Sequence, residues 1–80
     1  MTQLEQSRAI AAIARDAGIK AGRAAGIGEM RVGMLANGAL GCFQAGRGIS
    51  SYLPADERVV FEAVRASLQA QGAYTQSGKV

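Results

Sequence analysis

The chain has no histidine, no tryptophan, one proline and one cysteine, and only four aromatic side chains, Phe43, Tyr52, Phe61 and Tyr74, in 80 residues. Without histidine it lacks the commonest general base at neutral pH and the commonest transition-metal ligand. A single thiol, Cys42, makes no internal disulfide and no cysteine-rich metal cage, which points to a reducing cytoplasm. No run of about 20 apolar residues is present to cross a membrane, and no charged-then-apolar leading segment directs secretion. The expectation is a cytoplasmic protein with neither cofactor nor metal.

Hydrophobic residues make up 49% of the chain, and its eleven glycines are about twice the ordinary usage of ~7%. With so few aromatics, the large apolar surfaces must come from Ile, Val, Leu and Met. A chain this short forms one domain whose core rarely supplies more than about 3–5 kcal/mol net. Association is the remaining reinforcement. A homo-oligomer, most simply a two-fold dimer, or completion by a larger protein target is therefore expected. Net charge is +3. Between positions 8 and 48, six cations (Arg8, Arg15, Lys20, Arg23, Arg31 and Arg47) face only two anions, Asp16 and Glu29. Such a basic half reads first as spaced cations keeping a small protein in solution, and second as favouring an acidic partner or nucleic acid.

Residues 3–17 read as a first helix, free of glycine and proline, with Thr2 as N-cap and Glu5 three positions on. Ile10, Ile13, Ala14 and Ala17 share one face at helical spacing. Gly18 stands where a left-handed residue would end this helix, with Ile19 as the apolar residue packing back on it. Residues 18–28, interrupted by Gly22, Gly26 and Gly28, read equally as loop or as a short weak helix. Asn37-Gly38 is the preferred pair for a type I′ hairpin turn. It predicts strands over 29–36 and 39–44, with Met30, Val32, Met34 and Phe43 on the core face and Leu35, Leu40 and Cys42 on an outward apolar face. A brief third strand over 49–53 would extend the hairpin to a meander. Pro54 opens a last helix, Asp56 and Glu57 complement its dipole, Val60, Phe61, Val64 and Leu68 form its stripe, and Gly72 stops it. Tyr74 is expected to close the domain, and residues 75–80 to fray. The predicted class is α+β: an N-terminal helix, an antiparallel β-hairpin and a C-terminal helix packed on one sheet face.

Chemistry is sparsely signalled. Gly46-Arg47-Gly48 with Ser50 and Ser51 has the backbone N–H groups and guanidinium of an anion cradle, but reads first as a tight strand connection with incidental serines. Cys42 has no histidine to activate it and reads as a small hydrophobe. Asp56 and Glu57, roughly 100° apart on a helix, form no acid–base pair. No enzymatic activity is expected. Residues 13–19 (Ile-Ala-Arg-Asp-Ala-Gly-Ile) resemble the first helix and turn of helix-turn-helix repressors. That resemblance implies a recognition helix from Lys20 onward, with Lys20 and Arg23 as major-groove contacts. A separate variant has the basic hairpin itself touching nucleic acid through Arg31 and Arg47. The same seven residues also read as an ordinary glycine C-cap.

The leading expectation is a non-enzymatic regulator or inhibitor acting through protein–protein contacts. Its size and Ala/Gly/Arg-rich composition suit a bacterial or phage accessory protein of anti-defence type. Leu35, Leu40 and Cys42 would mediate self-association, and Arg31, Arg47 and Tyr52 would rim a partner site.

Overall fold

The computed structural model describes residues 2–73. Its described segments form three helices, α1 (Gln3–Ala24), α2 (Glu29–Gln44) and α3 (Ala55–Ala70), and no β-strand. The α+β class is therefore corrected to an all-α bundle. The expectations for Tyr74 and for residues 75–80 lie outside the described residues.

Thr2 caps α1 as its sequence suggests, its hydroxyl accepting from the Glu5 N–H at 3.2 Å. The helix does not stop at Gly18. It continues to Ala24, and Gly18 and Gly22 are buried within it. With Ala14 they place a small residue at every fourth position along the face turned toward α2 and α3. A Cβ at Gly18 would sit 2.5 Å from Val64 Cγ2, and one at Gly22 would overlap Val32. The cost of about 1 kcal/mol per interior glycine is offset by that close approach. Ile13, placed by its spacing on one face with Ala14, is 56% exposed while Ala14 is buried.

The predicted hairpin is helix α2. Val32, Ala36, Ala39, Leu40 and Phe43 are all buried, an i, i+4, i+7, i+8, i+11 series that a helix alone places on one side. Burying Val32, Leu40 and Phe43 is worth about 1.5–3 kcal/mol each. The glycines exposed or half-exposed along α2 cost about 1 kcal/mol apiece. An isolated two-stranded hairpin is only marginally stable in water. Burial therefore outweighs the turn preference of Asn37-Gly38. Met30 and Met34, assigned to the core by strand alternation, lie 86% and 72% exposed. No third strand forms over 49–53; the connection 45–54 returns the chain along the bundle, with Ile49 packed against the core.

All three helices end alike. Gly26, Gly46 and Gly72 take φ of +84°, +79° and +75°. The following N–H reaches back to the carbonyl five residues earlier: Ile27 to Gly22, Arg47 to Cys42 and Ala73 to Leu68. These are Schellman terminations. The same Ala-Gly-x-Gly string, at residues 25–28 and 45–48, closes the first two.

α1 runs antiparallel to α2 and α3, which are parallel to each other. Gln71 at the end of α3 donates to the Ile10 carbonyl near the start of α1. Arg31 near the start of α2 pairs with Asp56 and Glu57 at the start of α3. The core has two layers. Val32, Ala36, Val60 and Ile27 fill one. Ala14, Ala39, Leu40, Phe43, Val64 and Leu68 fill the other, with Phe43 and Phe61 meeting edge-to-face at 6.2 Å.

Candidate interaction surface

At roughly 100° per residue, Met30, Met34, Gly38, Gly41 and Ala45 fall within about 80° of arc on α2, opposite its core residues. All five are exposed. A Cβ added at Gly33, Gly38 or Gly41 would meet nothing within 4 Å. The face is thus built from two protruding thioethers at one end and bare backbone at the other. Arg15 Nε borders it, donating to Asn37 Oδ1 at 2.9 Å.

No charge lies on this face. The two charged residues of α2 lie off it and are paired within the chain, Glu29 with Arg23 at 2.8 Å. The Arg31 guanidinium spans Asp56 at 3.0 Å and Glu57 at 2.9 Å. Its hydrogen bond holds the Asp56 carboxyl below the usual carboxylate range, and the two carboxylates, Glu57 foremost, raise Arg31 in turn. Asp56 and Glu57 also lie in the first turn of α3, where the helix dipole favours negative charge.

Leu35, Leu40 and Cys42 do not form the expected self-association patch. Leu40 is in the core, Leu35 packs half-buried on the Val32 layer, and Cys42 is half-buried. The Cys42 thiol lies 3.7 Å from the Gly48 carbonyl, placed to donate to it. Once the segment is a helix, the strand alternation that united these three no longer applies. The expected partner rim is also divided. Arg31 and Tyr52 belong to the end of the bundle where α3 begins, with Tyr52 93% exposed. Arg47 follows the far end of α2, about 24 Å along a 16-residue helix.

The nucleic-acid set is broken up in the same way. Lys20 and Arg23 lie on the outer side of an uninterrupted α1, so the turn that the helix-turn-helix resemblance placed at Gly18 does not exist. Arg23 and Arg31 are engaged by carboxylates. Nor is the segment 46–48 an anion cradle. The Gly46 and Arg47 amides are spent on α2 carbonyls, the Ser50 hydroxyl accepts from the Tyr52 N–H, and the negative end of the α2 dipole points there.

An open depression of about 160 Å³ lies at the far end of the bundle, lined by Ser7, Ile10, Ala11, Phe43, Gln44, Leu68 and Ala73. None of these is a titratable side chain. Among the described residues no three His, Cys, Asp or Glu side chains converge as a metal site, and no helix is long and apolar enough to cross a membrane. The outer face of α2 escaped sequence reasoning, although Met30 and Met34 at i, i+4, set against Val32, Ala36 and Phe43, carried its signal. Comparison with protein-family models, curated proteins and solved structures finds no match to the chain.

Proposed function

We propose that this chain is a small non-enzymatic binding protein, a cytoplasmic regulator or inhibitor that acts by covering a surface of another polypeptide. One observation carries the reading: Met30 and Met34 stand 86% and 72% exposed on a helix face without charge. Exposed apolar patches mark interaction sites, and flexible thioethers adapt to the partners they meet. Tyr52, at the end of the bundle where Arg31 meets α3, supplies an aromatic anchor of the kind that dominates interface energetics. The titratable groups brought together, Arg31 with Asp56 and Glu57, neutralise one another at exposed helix ends. That arrangement suits holding α2 on α3 rather than moving protons.

The test uses tagged wild type, Met34→Lys and Tyr52→Ala as bait in a lysate of the source cells, each variant first shown to melt as wild type does. A polypeptide captured by wild type and lost at least tenfold with Met34→Lys supports the reading. Equal capture by all three overturns it. So does tight, steeply salt-dependent binding of generic duplex DNA, which would mark a nucleic-acid protein.

A further inference from the structure

We infer that the outer face of α2 is built to take a second copy of itself, in an antiparallel two-fold pair. This rests on reading that face as an interaction surface, and names its partner.

The face is asymmetric in size along its length. Met30 and Met34 protrude from its first half, while Gly38, Gly41 and Ala45 leave the second half bare, with open space above both glycines. An antiparallel pair with its dyad between residues 37 and 38 matches these halves. It sets Met34 over the partner's Gly41 and Met30 over the partner's Ala45, and the same contacts recur across the axis. Asn37 then lies opposite the partner's Gly38, and Arg31 opposite the partner's Gln44. Within the face itself each methionine meets a glycine or an alanine. A parallel pair would instead stack methionine on methionine and leave a gap over the glycines.

Charge favours the same occupant. Each copy carries a net charge of +3, so most encounters between copies oppose cations. The outer face of α2 lessens this, because its own residues bear no charge and Glu29 and Arg31 are already paired internally, leaving Arg15 at its border beside Asn37. Antiparallel helices also align their dipoles favourably. An acidic or basic partner would find no charge on the face itself, only Arg15 at its border. A second copy needs none.

The pairing also gives a reason for Gly38 and Gly41. Exposed mid-helix glycines with no neighbour weaken a lone protomer relative to alanine. Their lack of a Cβ becomes useful when another helix approaches, as Gly18 and Gly22 show within the bundle. A single face about 24 Å long and ~10 Å across covers less than the ~800 Å² per partner of a standard interface. A face of that size places the pair among weak, transient interfaces.

Sedimentation equilibrium from about 10 µM to 1 mM reads the association directly. Wild type is expected to pass from monomer to dimer in this range, with added salt leaving the equilibrium unchanged or tightening it. The Gly38→Ala/Gly41→Ala variant is expected to melt higher yet associate at least tenfold more weakly, so loss of folding cannot explain the result. In a Cys42→Ser background, mild oxidation should cross-link Asn37→Cys to its counterpart near the dyad. Met30→Cys should stay unlinked, its two copies being about 22 Å apart along the axis. A wild type that remains monomeric at 1 mM overturns the pairing. So does tighter association of the alanine variant, or preferential linkage through Met30→Cys. A monomer whose Met34→Lys form still loses capture of a different polypeptide removes the second copy while leaving the binding role standing.

Discussion

Replacing Gly38 by alanine has opposite consequences in a helix and in a hairpin. In α2 the position is exposed, a Cβ there meets nothing within 4 Å, and its φ is negative. Alanine then contributes its full helix preference of about 1 kcal/mol. For a chain of this length that raises Tm by about 4–8 °C. Gly33→Ala and Gly41→Ala share the same open surroundings. The triple variant should therefore gain roughly 2–3 kcal/mol and about 10–20 °C, if the three effects add. In a type I′ turn, where Gly38 would need positive φ, alanine would destabilise instead. Gly18 and Gly22 supply the contrast inside the same fold. Alanine at Gly18 would meet Val64 Cγ2 at 2.5 Å and Val60 Cγ1 at 3.3 Å; at Gly22 it would meet Val60 Cγ2 at 2.9 Å and overlap Val32. Overpacking of this kind costs about 1–3 kcal/mol against the ~1 kcal/mol of helix preference regained. Gly22→Ala should thus lose stability outright, and Gly18→Ala should be neutral to destabilised by about 2 kcal/mol. The assay is thermal and urea unfolding followed by circular dichroism at 222 nm, at low micromolar concentration so that association does not contribute. A Gly38→Ala protein that melts lower with reduced helicity, or a Gly22→Ala protein that melts higher, would refute the reasoning.

Further outcomes follow from named contacts. Val64→Ala removes the methyl that a Gly18 side chain would strike. The Gly18→Ala/Val64→Ala double variant should be less destabilised than the sum of its parts, by at least about 0.5 kcal/mol in a double-mutant cycle. Asp56, whose carboxyl is held below its ordinary value by the Arg31 hydrogen bond, contributes stability that is present above the unfolded carboxylate range and lost as pH falls through its folded value. Melting temperature should decline on acidification less steeply in Asp56→Asn than in wild type. Arg58 ties the connection to α3 by donating to the Ser51 and Leu53 carbonyls at 3.0 and 2.9 Å. Arg58→Ala should speed hydrogen exchange in residues 49–53 while α1 amides keep their protection.

Both ends of the chain's helical framework were legible because their signals were local. Thr2 caps α1 and Gly72 stops α3, and the Val60, Val64, Leu68 stripe is buried as its spacing implied. The middle was not, because a glycine has two uses that sequence spacing does not separate. Gly18 resembles a helix stop, yet it lies where α1 meets the valines of α3, a demand that only the third dimension makes visible. Asn37-Gly38 carries a strong turn preference, and Met30, Val32 and Met34 alternate as a strand would. The longer series from Val32 to Phe43 decides in favour of helix, since it buries more apolar surface than the turn preference can offset. The recurrence of Ala-Gly-x-Gly at residues 25–28 and 45–48 was the overlooked clue that both strings do the same job. The geometry expected to unite the self-association residues went with the hairpin. Leu35, Leu40 and Cys42 were united only by strand alternation, whereas Arg31 and Tyr52 remain at the surface regardless of class.

The central claim is that residues 29–44 form one helix turning Val32, Ala36, Leu40 and Phe43 inward and Met30, Met34, Gly38 and Gly41 outward. Backbone NMR of the isotope-labelled protein tests it most directly. Positive Cα secondary shifts running without a break through Asn37 and Gly38, with i to i+3 contacts across that pair, are the predicted result. Negative shifts on both sides of Gly38, together with a cross-strand contact between Leu35 and Leu40, would contradict it.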